Sequence, residues 1–175
     1  MDNDKIYLDY NSTTPLDPLV IEEITSSIKN NYGNAASRTH IFGWEADKTV
    51  KKARERIANL INAKPEEIIF TSGATEADNL AIKGFFEQYK KYGNHIITVQ
   101  TEHKAVIDTC KYLENKGAKV TYLPVNKNGL IDLSELETAI TDQTIMLAVM
   151  YGNNETGVIQ PIKEIAEIAD RKSVV

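Results

Sequence analysis

The sequence predicts an α/β protein: a parallel or mixed sheet with helices on both faces. Three observations lead there. From residue 68 onward, short apolar runs alternate with amphipathic stretches, the pattern of successive β-α units. The strand-like runs are continuously apolar rather than alternating with polar residues, which suits strands covered on both sides. Polar clusters follow three of those runs, where ligands gather in sheets of this kind.

Taken in order, residues 6–10 (Ile6-Tyr7-Leu8-Asp9-Tyr10) read as a short strand, followed by a polar turn ending at Pro15. Pro15-Leu16-Asp17-Pro18 starts a helix with apolar positions at Val20, Ile21, Ile24 and Ile28. Residues 30–38 form a loop rich in Asn, Gly, Ala and Ser. Ala46, Val50, Ala53, Ile57, Leu60 and Ile61 then recur at steps of three and four, an amphipathic helix that stops before Pro65. Strands are expected at 68–71, 95–99, 119–123 and 144–150. Helices are expected to begin near Glu76, His103, Leu133 and Ile162.

Bulk properties narrow the function. With 42% hydrophobic and 26% charged residues, the 175-residue chain has the composition of a globular protein able to bury a core. A net charge of -5 and scattered lysines argue against a nucleic-acid surface. The one cysteine, Cys110, has no internal disulfide partner, which fits a reducing compartment. The longest apolar run, 145–151, is too short to span a membrane, and the acidic start does not resemble a signal peptide. A cytoplasmic location is therefore expected.

Three clusters carry the chemistry. Thr71-Ser72-Gly73-Ala74-Thr75-Glu76 follows an apolar run and opens a helix, so the unpaired first N–H groups and the helix dipole suit a phosphate. Thr75-x-x-Asp78 equally fits an ordinary capping pattern. In Thr101-Glu102-His103-Lys104, the His103 imidazole can stack on a planar ring or move a proton, or simply start a helix at the surface. Lys104, one step further on, is expected to face solvent. Gly152-Asn153-Asn154-Glu155-Thr156-Gly157 offers amides to a ring hydroxyl or carboxylate, or forms a plain turn. His40, His95 and His103 lack the spacing of metal ligands. Cys110 shares an apolar helix face with Val106 and Leu113 and reads as a small buried hydrophobe.

Together the motifs resemble the cysteine desulfurases, the NifS/IscS-type members of the class V aminotransferases. The resemblance rests on Tyr7-Leu8-Asp9-Tyr10-Asn11-Ser12-Thr13-Thr14-Pro15, Gly33-Asn34-Ala35-Ala36-Ser37-Arg38-Thr39-His40, Phe70-Thr71-Ser72-Gly73-Ala74-Thr75-Glu76, Thr101-Glu102-His103-Lys104-Ala105-Val106 and Asn153-Asn154-Glu155-Thr156-Gly157. It runs from Ile6 to about Asp170, with Ala35 and Asn11 as small departures. It implies the N-terminal part of a type I (aspartate aminotransferase-like) pyridoxal phosphate-dependent fold: 1–15 on the small-domain side and 16–175 as a partial large domain. It also implies pyridoxal 5'-phosphate as cofactor, L-cysteine as substrate, a homodimer, and sulfur delivery to iron–sulfur clusters and tRNA. By matching position, Ala74 and Thr75 would hold the phosphate. His103 would lie over the ring as the catalytic histidine, and Asn154 would contact the ring hydroxyl. The family's pyridinium-pairing aspartate, Schiff-base lysine and persulfide cysteine follow further along than residue 175. The expectation is therefore a truncated desulfurase that is inactive alone. The alternatives are one half of a two-chain enzyme completed by a C-terminal fragment, or a non-enzymatic module that dimerises or holds an iron–sulfur scaffold.

Overall fold

The computed structural model describes residues 5–172 and 174–175. The chain divides into two compact units, Met1–Phe70 and Thr71–Val175. In the first, α1 (Pro18–Asn30) begins where Asp17 accepts a hydrogen bond from the Leu19 N–H and Pro18 supplies a preset φ. α2 (Ile41–Leu60) begins where the His40 ring accepts from Gly43 N–H. A single 3-10 turn, Pro65–Glu67, follows. α1 has no buried residue, whereas α2 buries Gly43, Ala46 and Ala58.

The second unit contains α3 (Ala74–Tyr89), β1 (His95–Val99), α4 (Lys104–Glu114), β2 (Lys119–Leu123), α5 (Leu133–Ala139), β3 (Thr144–Ala148) and α6 (Ile162–Arg171). The three strands form a parallel sheet in the order β2-β1-β3. β1 pairs with β2 in unbroken register from His95 with Lys119 to Val99 with Leu123. Against β3 the register slips by one between His95 and Ile96. All five residues of β1 are buried, as a central strand covered on both faces requires.

Side chains alternate across the sheet into two cores. Ile97, Val99 and Leu123 pack with Leu136 of α5 and Ile165 and Ile168 of α6. Ile96, Ile145 and Met146 pack with Ile82 and Phe86 of α3 and Val106, Cys110 and Leu113 of α4. The expected layering, helices on both faces of a parallel sheet, is what the chain forms.

Two expected strands are absent. Residues 6–10 are irregular and lead into a turn. Residues 68–71 form no strand and are unpaired, with Ile69 and Phe70 exposed. A strand needs a neighbour for its N–H and C=O groups, and none of the described strands supplies one. β3 also ends earlier than expected, at Ala148 rather than residue 150, because the chain turns there into the polar loop.

Candidate functional site

The order β2-β1-β3 makes a switch point. The chain leaves β1 through α4 on one face, returns through β2, and crosses by α5 on the opposite face to β3. The helices that follow the neighbouring strands β1 and β3, α4 and α6, thus lie on opposite faces. This leaves a crevice beyond the carboxyl ends of those two strands, the usual ligand position in such sheets.

The turn after β1 carries Thr101, Glu102 and His103. His103 is the N-cap of α4, and its Nδ1 accepts a hydrogen bond from Ala105 N–H at 3.1 Å. The ring is therefore oriented by the backbone, with Nδ1 occupied and Nε2 left as the proton-bearing nitrogen. The ring itself is exposed. The surface helix-start reading is correct as geometry, and it places the imidazole at the rim of the crevice. Lys104 points to solvent, 4.0 Å from Asp108.

The turn after β3 is a small hairpin-like loop. Gly152 bridges Ile159, Asn153 N–H donates to Val158 C=O, and Gln160 N–H donates to Tyr151 C=O. Gly157 takes a φ of 72°, a conformation that favours glycine at this corner. Asn153 organises the interior: its Oδ1 accepts from the N–H groups of Glu155 and Thr156 and from the Thr156 hydroxyl. Asn154, the adjacent residue, is exposed, and its amide reaches only Glu155.

The two turns are tied together. Asn153 Nδ2 donates to Thr101 C=O at 2.8 Å, and Glu102 Oε1 accepts from Met150 N–H. Glu102 is half-buried. Burial raises its carboxyl above the usual range and the negative charge of Asp78 adds to that, while the backbone N–H groups of Met150 and His103 oppose it.

The start of α3 departs from the capping pattern read in Thr75-x-x-Asp78. The N-cap is Gly73, and no side chain among the described residues caps it. Glu76 instead reaches back to Ser72, accepting from its N–H at 2.7 Å and its hydroxyl at 2.5 Å. These bonds hold the exposed Glu76 carboxyl below its ordinary range. The N–H groups of Ala74 and Thr75 find no acceptor among the described residues and remain available. The helix-start donors expected at 74 and 75 are therefore present. The donors at Ser72 are already engaged.

Sequence reasoning assigned no role to Glu102, and it named Asn154 as a contact by resemblance while giving Asn153 no role of its own. Nothing in the spacing distinguishes them. The difference is burial and partner choice, which only the fold decides.

A crevice at the switch point of a parallel sheet, with free helix-start donors in the same unit, is the arrangement in which α/β proteins accept anionic ligands. The chain belongs to the aminotransferase class-V family, whose sequence model matches residues 6–175. It is 55% identical over 169 residues to the cysteine desulfurase IscS of Rickettsia felis, covering 97% of this chain and 41% of that protein. Among solved structures, a NifS-like protein superposes with a TM-score of 0.88 at 42% identity, covering 93% of this chain and 44% of that one. SspA in complex with cysteine superposes with a TM-score of 0.89 at 38% identity, covering 96% and 48%. The chain thus spans under half the length of the relatives it matches.

Proposed function

We propose that this chain supplies the phosphate-side part of the active site of a cysteine desulfurase, an enzyme that takes sulfur from L-cysteine with pyridoxal 5'-phosphate. One observation carries the reading: the turns after β1 and β3, which carry His103 and Asn154, are hydrogen-bonded to each other beyond the carboxyl ends of those strands, and the start of α3 in the same unit is uncapped. The similarity to IscS and to a protein solved with cysteine supports it.

The donor set fits the cofactor. Backbone N–H groups of Ala74 and Thr75, with the Thr75 hydroxyl, would hold the phosphate at the positive end of the helix dipole. His103, with Nδ1 fixed by Ala105, would present its ring face and its Nε2 proton toward the planar group. Asn154 would donate from Nδ2 to a ring hydroxyl. The bound cofactor would supply an electron-accepting ring conjugated to the substrate amine. Glu76, Asp78 and Glu102 place negative charge near the same rim, which lowers the affinity these residues offer alone.

Within the 175 residues no lysine stands in a Ser-x-His-Lys setting, and the one cysteine is buried. We infer that turnover draws its Schiff-base lysine, pyridinium-pairing aspartate and persulfide cysteine from outside these residues, and that the 175-residue chain alone does not release alanine from cysteine. In this reading 1–15 lie on the small-domain side, 16–175 contribute to the cofactor-binding domain, and the working enzyme is a cytoplasmic homodimer that delivers sulfur to an iron–sulfur scaffold. A two-chain enzyme with a complementary C-terminal fragment is the second reading. A non-enzymatic interaction module is the third.

Titrating pyridoxal 5'-phosphate while following the thermal midpoint tests the site. A ligand at about a hundred times its Kd stabilises by roughly 2.7 kcal/mol, and Thr75→Ala should diminish that rise. An unchanged midpoint at all cofactor concentrations would overturn the assignment.

A further inference from the structure

We propose that Glu102 and Asn153 are positioning residues that latch the turn carrying His103 to the turn carrying Asn154, so that the imidazole and the amide are held as one unit. The proposal rests on the reading of His103 and Asn154 as cofactor contacts. The latch itself stands on geometry.

The two ties are arranged as a pincer around the functional pair. Thr101 and Glu102 are the two residues that precede His103, and Met150 and Asn153 precede Asn154. Thr101 C=O accepts from Asn153 Nδ2 at 2.8 Å, and Glu102 Oε1 accepts from Met150 N–H. Asn153 Nδ2 also lies 3.3 Å from the Met150 sulfur. On its other side Asn153 fixes the loop ahead through Glu155 and Thr156. His103 and Asn154 make none of these ties. Their neighbours bear the bonds between the turns, and both side chains are exposed.

A cheaper residue could fill position 102 if packing were all it did. A half-buried carboxylate costs solvation. Asp78 on α3 faces it with like charge, and the buried thiol of Cys110 on α4 also feels its charge. What offsets the cost is the charge-assisted bond from the Met150 N–H on the β3 side. No hydrophobic side chain could accept from Met150 and bridge the two turns. Glutamine could, with its amide oxygen.

Amide hydrogen exchange on the whole chain reads the latch without any cofactor. In Glu102→Ala, the Met150 amide and residues 150–157 should exchange about tenfold faster or more, the scale for losing a hydrogen bond to a charged group. The amides of Ile96 and Val99 in β1 should be unaffected. Glu102→Gln should recover most of the protection. Exchange unchanged across 150–157, or accelerated equally in β1, would overturn the latch. If Glu102→Ala does not fold, Asn153→Ala is read by the same criteria.

Pyridoxal 5'-phosphate and inorganic phosphate are then used as separate probes. Where Glu102→Ala leaves the latch open in most molecules, pyridoxal phosphate affinity should fall in proportion to the latched fraction that remains. Inorganic phosphate affinity, set by Ala74 and Thr75, should hold. Equal pyridoxal phosphate affinity in the parent and Glu102→Ala would overturn the positioning role. Failure of the parent chain to bind pyridoxal phosphate would overturn the functional reading, and the exchange measurement would still decide the latch.

Discussion

Glu102 is a half-buried carboxylate that ties two turns through the Met150 N–H while burial disfavours its charge. Its folded carboxyl lies above the ordinary value of 4.5. A raised carboxyl contributes stability below that ordinary value, and the contribution is lost as pH climbs through the raised one. Thermal midpoints of the parent and Glu102→Gln, measured from about pH 4 to about pH 7, should therefore shift in the parent's disfavour as pH rises. A constant difference would contradict the burial argument. Cys110 is the opposite case. Its thiol is fully buried, and burial, with Glu114 and Glu102 nearby, pushes it up to about 11. It should resist thiol reagents at pH 8 in native protein and react promptly in denaturant; prompt native labelling would show the face to be open. Its burial was legible in the spacing of Val106, Cys110 and Leu113. The role of Glu102 was not, because a carboxylate between a threonine and a histidine looks the same whether it faces water or a backbone N–H.

Among the elements, β1 carries a polar pin at its start. The His95 ring bridges all three strands, with Nδ1 2.8 Å from the Thr144 hydroxyl on β3 and Nε2 2.8 Å from the Thr121 hydroxyl on β2. Burial, and then the charge of Lys119, lowers its proton affinity. For a histidine lowered in the folded state, stability is full above the ordinary value of 6.5 and declines as pH falls below it. Urea midpoints should therefore drop between about pH 7 and about pH 5, and the drop should shrink in His95→Gln. α4 presents Leu113 to the core with almost no exposure. Leu113→Ala should cost about 2–5 kcal/mol in urea unfolding, the range for emptying a packed leucine site. β1 and β2 were legible to the residue, since short apolar runs between polar turns define their own limits. Residues 68–71 were not, since pairing is a property of two segments and composition describes one. The start of α3 was legible as a helix but not in its cap, because Glu76 bonds to Ser72 and leaves Gly73 bare.

At the scale of the whole molecule, the helix α1 exposes Leu19, Ile21, Ile24 and Ile28 along its length. Apolar stripes of this kind mark surfaces that associate. The chain should sediment above monomer mass at micromolar concentration, and Ile21→Ser combined with Ile24→Ser should lower that mass; a concentration-independent monomer would count against the homodimer. Within the sheet, the central position of β1 bears on the order of assembly. Its His95 meets β2 at Thr121, 26 residues along, and β3 at Thr144, 49 residues along. Closing the longer loop costs only about 0.6 kcal/mol more, yet it must wait for a more distant encounter. The crevice lies between β1 and β3, so its two walls come from the pair of strands separated by the longer loop, and they meet only once that more distant pairing is made.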